Sequence, residues 1–509
     1  MGATIQQRIT IDPVTRLEGH GRIEVFLKPD GAVDRAFFQV PELRGFEKFV
    51  EGRPAEDMPQ ITSRICGVCP TAHHMAAVKA LDRLFGVEPP PAARKIRELV
   101  YSAFFIEDHA LHFYYLGGPD FIVGPKAPKA ARNILGVIEK VGAETALKVI
   151  ALRRRLREII GIAGGKAIHP VLGLPGGVAR RIHPEEQERF VEIAAEAVAF
   201  SQFSLQAFHE MVLQNAEYLH LICSQEYTHQ TYYMGLVDLD GGLNFYDGRV
   251  RVVRPDGSEY VTFAPDQYLD YIAEHVEPWS YVKFCYLKPL GWKGFVDGAE
   301  SGVYCVAPLA RLNACGHVPT PLAKRAYEEY FATLGGKPVH HTLANHWARL
   351  IEMLYAAERL KELAADPELT SRDIRNLPEK VAGVGIAVVE APRGTLIHHY
   401  EADEKGLIRK ANLIVATQNN SARIALSVDR AAKAMVRGPE ASEEMLNMVE
   451  MAFRAYDPCY GCASHALRGA YPIEVRFYGA QQKLTGITRR CGDGTVERRF
   501  LKTAEEVNV

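Results

Sequence analysis

The chain has 509 residues, 47% hydrophobic and 24% charged, which allows a deep globular core and excludes a disordered or collagen-like polymer. Its formal net charge of −2 gives no electrostatic case for a nucleic-acid partner. Nine cysteines without regular spacing argue against a secreted disulfide framework and favour a reducing compartment.

Residues 7–40 predict strands: Ile9, Ile11, Ile23, Val25 and Leu27 alternate with polar residues, and Asp30-Gly31 makes a turn. From residue 61 to about 118 the period becomes helical, with further helices over 129–160 and 184–222. The basic cluster at 153–157 lies in that pattern and reads as a solvated or partner-facing helix face. Asp247-Gly248 and Asp256-Gly257 divide a β-rich stretch over 234–265. Helices follow at 321–333 and 344–365, strands at 383–390 and 396–401, and a helix near 421–437. Residues 441–456 lead into a cysteine pair, and the tail after His465 holds a strand-like segment at 473–478. The expected fold is mainly α within an α+β multidomain chain, a central helix bundle with small peripheral sheets.

Five regions follow from this order. They are an N-terminal β-rich segment (1–60), a helical core with a first cysteine motif (61–230) and a β excursion (231–320). A helical and β core with a second cysteine motif (321–465) and a C-terminal extension (466–509) complete the chain. No leader of basic then apolar residues opens the sequence, Gln6 spoils a myristoylation pattern, and the longest apolar run, 381–389, is far too short to span a membrane.

The chemistry concentrates in two Cys-x-x-Cys pairs, Cys66/Cys69 and Cys459/Cys462, nearly a full chain apart. Structural zinc sites usually draw their pairs from a much shorter stretch, so the fold must bring the two ends together around one buried centre. On spacing alone, a structural Cys₄ zinc site and a redox-active metal stand level, because thiolates suit both. The flanks favour a reactive metal: Arg64 precedes the first pair and His73 follows it, while Asp457 precedes the second and His465 follows it. Gly164-Gly165-Lys166-Ala167 lacks the residues of a phosphate loop, and His109 and His112 lack the spacing of a zincin pair.

The string from Arg64 to His73, paired with Asp457 to His465, resembles the large subunit of nickel–iron hydrogenases. Other motifs fall in that family's order: residues 12–20, Arg44-Gly45-Phe46-Glu47, Asp108-His109, Glu390-Ala391-Pro392-Arg393-Gly394 and Thr417-Gln418-Asn419-Asn420. The last of these looks more like the cytosolic multi-subunit branch that reduces viologen, deazaflavin or NAD, which implies a cytoplasmic location. The resemblance implies a catalytic subunit that cleaves dihydrogen heterolytically and reversibly. Its cofactor would be a nickel–iron centre with carbon monoxide and cyanide on the iron. Cys66 and Cys459 would bind nickel terminally, and Cys69 and Cys462 would bridge nickel to iron. Glu18 would relay protons from Cys459, and Arg393 would stand over the metals in a canopy with Asp108, Asp457 and Pro392. His73 would donate to a cysteine sulfur, and Glu47, the Leu413 carbonyl and His465 would hold magnesium.

No second cysteine grouping could hold an iron–sulfur cluster, so electrons must leave through another subunit. The family implies an iron–sulfur small subunit, further electron-transfer subunits, and a maturation endopeptidase that removes the extension after His465. The partner surface is expected near the first cysteine motif and the 164–177 segment. Gly461, where the family often has a slightly larger residue, is expected to loosen the second cysteine loop. The competing readings are a hydrogen-sensing homologue, which usually lacks a cleavable tail, and a structural Cys₄ zinc protein, which needs neither Arg393 nor Glu18. A quinone-linked non-catalytic relative would lack the cysteine pairs.

Overall fold

The computed structural model describes residues 7–381, 383–465, 473–478, 484–490 and 495–500. Along the chain, the helices that build the body are α1 (Pro70–Leu84), α2 (Pro91–Leu111), α3 (Ala143–Gly164), α4 (Pro184–Phe208), α5 (Asn345–Ala364), α6 (Ala416–Met435) and α7 (Glu443–Arg454). Helix α5 packs against α2 and α4, and α3 lies on α2, which forms the expected bundle. Nearly all of α5 is buried, including Arg349, Glu352 and Glu358, as expected of a helix surrounded by others.

Small sheets surround this bundle. Arg8–Ile11, Arg22–Leu27 and Val33–Gln39 form an antiparallel sheet in chain order, with Val25 opposite both Ile9 and Ala36. Tyr232–Val237 pairs with Arg249–Val253, which pairs with Glu259–Phe263, and Tyr304–Cys305 runs parallel to the first of these. Val384–Ala391, Gly394–Ala402 and Ile408–Ile414 make a third antiparallel sheet, with Pro392 and Arg393 as its two-residue turn. That sheet packs against α1, and α6 packs against α7 and the strand Val33–Gln39. Pro70 opens α1 directly after Cys69, where a missing N–H costs nothing, so the sheet beneath α1 also sets the first cysteine loop.

The differences from sequence expectation have local causes. The helix expected over 129–160 is two, Ile134–Val141 and Ala143–Gly164, because Gly142 breaks the run at φ +85°. The helix expected over 184–222 ends at Phe208; a π-helical turn follows, and Asn215 caps a fresh helix, Ala216–Ile222. The strand Ile408–Ile414 escapes the pattern because Arg409, Lys410 and Asn412 interrupt its apolar residues. Helix α6 starts five residues early, since its polar opening, Gln418-Asn419-Asn420-Ser421, is buried rather than looped out.

The basic cluster bonds within the chain: Arg153 and Arg157 pair with Glu107, and Arg155 with Glu196. After His465, the expected strand Ile473–Tyr478 is joined by Leu484–Arg490 and Val496–Phe500 in an antiparallel sheet. Residues 466–472, where the expected cleavable extension begins, lie outside the described residues. Among the described residues, no helix is long and apolar enough to cross a membrane.

Gly385 shows how tightly the sheet sits on α1: a Cβ there would lie 2.0 Å from the Ala80 carbonyl oxygen and 2.8 Å from the Leu84 side chain. Gly385→Ala should therefore lift the sheet and destabilise the chain by about 1–3 kcal/mol. A denaturant midpoint equal to that of the unaltered chain would show that the contact yields without cost.

Candidate metal centre

The two cysteine pairs meet. Cys66 Sγ lies 3.3 Å from Cys459 Sγ, Cys69 Sγ 3.2 Å from Cys462 Sγ, and Cys459 Sγ 2.8 Å from Cys462 Sγ. All four sulfurs fall within 4.8 Å of one another and all four residues are buried. Cys69 is the N-cap residue of α1; its contacts with Cys459 and Cys462 lower the thiol pKa, but Cys66 and burial outweigh them and lift it to about 11. Cys66 Sγ accepts the Val68 and Cys69 backbone N–H groups, at 3.2 and 3.4 Å. Hydrogen bonds from Cys459, Cys462 and Cys69 draw Cys66 well below the ordinary thiol range. Burial pushes Cys459 and Cys462 well above it. Without a cation the cluster therefore favours one negative charge, and bound metal would supply what the other thiolates need. Four soft donors with no competing carboxylate among them fit nickel and iron.

Arg44 bolts the two loops together. Its Nη1 donates to the Ile65 and Gly461 carbonyls, and its backbone N–H donates to Ser464 O at 2.7 Å. Thr417 Oγ1 accepts the Cys459 N–H at 2.9 Å.

Glu18 sits against Cys459 and not in a surface salt bridge. Cys459 Sγ lies 2.8 Å from Glu18 Oε2, which also accepts the Gly461 N–H at 3.0 Å. The two loops run side by side, with Tyr460 N donating to Glu18 O and Glu18 N to Pro458 O. Burial raises the Glu18 pKa above that of an ordinary carboxylate. Gly461 does not loosen its loop. A Cβ there would come 2.6 Å from Glu18 Oε1, so the missing side chain is the space the carboxylate fills. Gly19, at φ +83°, closes on Gly461 in turn: its Cβ would fall 2.5 Å from Gly461 N.

Arg393, at the tip of the 384–402 hairpin, is 2% exposed. Its Nη1 donates to Asp108 Oδ2 at 3.1 Å, and its Nη2 lies 3.0 Å from Asp457 Oδ2. Burial raises both aspartates, Asp108 to about 7, while Arg393 opposes the rise. Arg393 stays protonated despite its burial because these carboxylates and the Cys459 and Cys69 thiols face it. Pro392 is buried beside it in the same turn.

Sequence reasoning missed the support under that turn. Arg311 donates to Ala391 O and Pro392 O, at 2.6 and 3.0 Å, and its guanidinium is neutralised by Glu352 through both carboxylate oxygens, with Glu390 Oε2 a further acceptor at 2.9 Å. Asn420 Nδ2 donates to Arg393 O at 2.8 Å and Asn419 Nδ2 to Thr395 O at 2.7 Å, which gives the Asn419-Asn420 pair a physical role. Only the Asn pair and Glu390 left a motif in the sequence; Arg44 stood inside a motif without a visible task.

Glu47, Leu413 and His465 also converge. Glu47 is wholly buried, accepts the Leu413 N–H at 2.8 Å, and leaves its Oε2 without a partner. His465 Nε2 lies 2.6 Å from Leu413 O and 3.6 Å from Glu47 Oε1, and its Nδ1 lies 2.5 Å from Cys462 O. A neutral imidazole can donate to only one of those two carbonyls. A cation among Nε2, Leu413 O and the orphaned Glu47 oxygen would satisfy all three, so the donor set fits a bound metal. His73 Nε2 lies 3.4 Å from Cys462 Sγ, within hydrogen-bond distance of the sulfur.

A family model described as nickel-dependent hydrogenase matches residues 44–142 and 299–465, and one described as HoxL-like matches residues 8–43. The chain belongs to the nickel-dependent hydrogenase family. It is 47% identical to the iron-sulfur subunit of an F420-non-reducing hydrogenase from Archaeoglobus profundus, over 94% of this chain and 98% of that one. It is 38% identical to the beta subunit of the NAD-reducing hydrogenase HoxS from Cupriavidus necator, over 94% and 99% of the two chains. The crystal structure of an NAD+-reducing [NiFe]-hydrogenase in the H2-reduced state superposes with a TM-score of 0.84 at 38% identity, covering 90% of this chain and 99% of that one. The Ni-Fe-Se hydrogenase of D. vulgaris Hildenborough gives 0.71 at 26% identity, covering 90% and 100%. With its four-cysteine cluster, this chain is a catalytic large subunit with a nickel–iron centre, and it works with small-subunit partners.

Glu390 offers a test of the buried support. Burial raises it to about 7, so the native chain holds a proton that an unfolded carboxyl near 4.5 releases. This contribution to stability is fully present below about 4.5 and is lost as pH rises through about 7. Glu390→Gln should flatten that part of the stability–pH curve relative to the unaltered chain. Two curves that run parallel between those pH values would show that Glu390 stays ionised throughout.

Proposed function

We propose that the four cysteines divide as terminal and bridging ligands: Cys66 and Cys459 on nickel alone, Cys69 and Cys462 shared with an iron that carries carbon monoxide and cyanide. When bound, the centre supplies a Lewis-acidic, redox-active site at which dihydrogen is polarised and its electrons are taken up. The rest is done by this chain's own residues. Cys459 Sγ accepts the proton and passes it to Glu18 Oε2, and this 2.8 Å contact is the observation that carries the reading. Glu18 is only half-buried, so the same carboxylate reaches from the thiol towards solvent.

Arg393 keeps a fixed positive charge over the centre, its fork held by Asp108 and Asp457 and its backbone by Asn420. Pro392 stiffens the turn that presents it. Glu47, Leu413 O and His465 hold magnesium, tying the Cys462 loop to the sheet through the His465 contact with Cys462 O. Electrons leave to an iron–sulfur small subunit, then to further electron-transfer subunits. Among the described residues, the four cysteines form the one group of three or more His, Cys, Asp or Glu side chains with metal-ligand spacing, which supports that division of labour.

A maturation endopeptidase then removes residues 466–509. The family match ends at residue 465, which supports a cut there. The relatives support a cytoplasmic complex.

Infrared spectroscopy of the native-expressed complex, with metal analysis, tests the centre. Sharp carbonyl and cyanide bands with about one nickel per chain are expected. A silent spectrum with zinc in the cluster would overturn the reading. For the proton route, Glu18→Gln should keep metal content and bands while dihydrogen oxidation collapses by at least ~100-fold. Undiminished turnover in a metallated Glu18→Gln complex would remove Glu18 from the path.

A further inference from the structure

His73 is the visible end of a longer buried chain. Its Nε2 faces Cys462 Sγ at 3.4 Å, and its Nδ1 lies 3.2 Å from His398 Nε2. His398 Nδ1 in turn lies 2.6 Å from the Tyr400 hydroxyl. His398 and Tyr400 leave the Gly394–Ala402 strand on the same face, two residues apart, which is why both reach the line of His73. All three side chains are buried to within 1% of complete. Beyond Tyr400 stands Thr62, also wholly buried, whose hydroxyl donates to Met58 O at 2.7 Å.

Each contact has only one consistent direction once the sulfur is a metal-bound thiolate. Such a sulfur carries no proton and can only accept. Both rings are buried, and their contacts are a sulfur, a ring nitrogen and a hydroxyl with no carboxylate among them, so nothing offsets the cost of a buried charge and each ring is neutral. A neutral imidazole has one donor and one acceptor nitrogen. If His73 Nε2–H donates to Cys462, its Nδ1 must accept from His398 Nε2–H, and His398 Nδ1 must accept from the Tyr400 hydroxyl. The reverse order needs a protonated Cys462.

We propose that His398 and Tyr400 are positioning residues for the metal centre: with His73 they form a one-way hydrogen-bond relay that fixes the His73 tautomer and aims three aligned donors at Cys462 Sγ. The inference rests on Cys462 being a metal-bound thiolate, as read above. Its role is electronic tuning and not proton export, because the relay ends inside the protein at Thr62, while Glu18 reaches outward. Chained hydrogen bonds polarise one another in a low-dielectric interior. Loss of the far donor should therefore weaken the near one and return electron density to the sulfur.

The test uses the intact complex, comparing unaltered protein with Tyr400→Phe and His398→Gln by infrared spectroscopy and nickel and iron analysis. Tyr400→Phe keeps the ring in the core and removes only the terminal donor. Its carbonyl and cyanide bands should move to lower frequency at unchanged metal content, because a more electron-rich thiolate increases back-donation from the metal. Dihydrogen oxidation should fall roughly 10–100-fold, the usual effect of losing an outer-shell partner. His398→Gln, which retains an N–H towards His73 and an oxygen towards Tyr400, should leave the bands close to their original positions. Unmoved bands in a fully metallated Tyr400→Phe complex would overturn the relay. Loss of metal from that variant would assign the chain to folding and overturn it equally. Silence in the unaltered complex would instead remove the metal reading, and the relay with it.

Discussion

A backbone carbonyl is a weak handle until a fixed cation takes hold of two of them at once. The cysteine loops come from positions 393 residues apart and share no strand ladder, yet their sulfurs must stay within contact. Arg44 solves this by donating to Ile65 O in one loop and Gly461 O in the other. Arg311 does the same on the opposite wall, holding Ala391 O and Pro392 O beneath Arg393. A planar guanidinium with five fixed donors can grip two carbonyls and still meet a carboxylate, which lysine cannot do. The cost is buried charge, and Arg311 is tolerated because the Glu352 carboxylate neutralises it and Glu390 accepts a further hydrogen bond. Glu352 comes from α5 in the helix bundle and Glu390 from the 384–391 strand of the sheet beside it, so the core and the site depend on the same ion network.

Within that frame, no two sulfurs have the same neighbours. Cys69 stands at the N-terminus of α1, Cys66 accepts two backbone N–H groups, Cys459 meets a carboxylate, and Cys462 meets a histidine. A symmetric four-thiolate cage would serve a structural ion equally well from every side. Here one sulfur meets a carboxylate and another a ring nitrogen, and this inequality favours a reactive centre over a structural one.

Residues that bind through their own side-chain chemistry were legible in the sequence. The cysteine pairs, Glu18, Arg393, Asp108, Asp457, His73, Glu47 and His465 all stand in short motifs, and the structure brings them to the sulfurs or to the walls around them. Residues that act by holding backbone were not legible as such, even where, like Arg44 and the Asn419-Asn420 pair, they stood inside a motif. Arg44 and Arg311 look like any arginine until the carbonyls they grip are known. Gly461 misled for a related reason: a glycine reads as freedom in a sequence, whereas here its missing Cβ is space occupied by the Glu18 carboxylate. The strand Ile408–Ile414 stayed hidden because Arg409 and Lys410 carry the local composition, although Leu413 at its end supplies a carbonyl to the His465 site.

Proton traffic and electronic tuning have to be kept apart if both act on sulfurs of one centre. A donor chain open to solvent would exchange protons with the thiolate it is meant to polarise. In the reading proposed above, the two functions fall to different sulfurs of the second pair, Cys459 beside Glu18 and Cys462 beside His73, separated by only two intervening residues. On one side the path from Cys459 through Glu18 is a single carboxylate, half-buried, whose pKa burial has moved towards that of a usable acid. On the other, His73, His398 and Tyr400 are sealed in the core, and their neutral rings can pass polarisation without releasing a proton. Burial does opposite work in the two cases. It raises the pKa of a carboxylate, whose charged form is the bare one, and lowers that of the histidines, whose charged form is the protonated one.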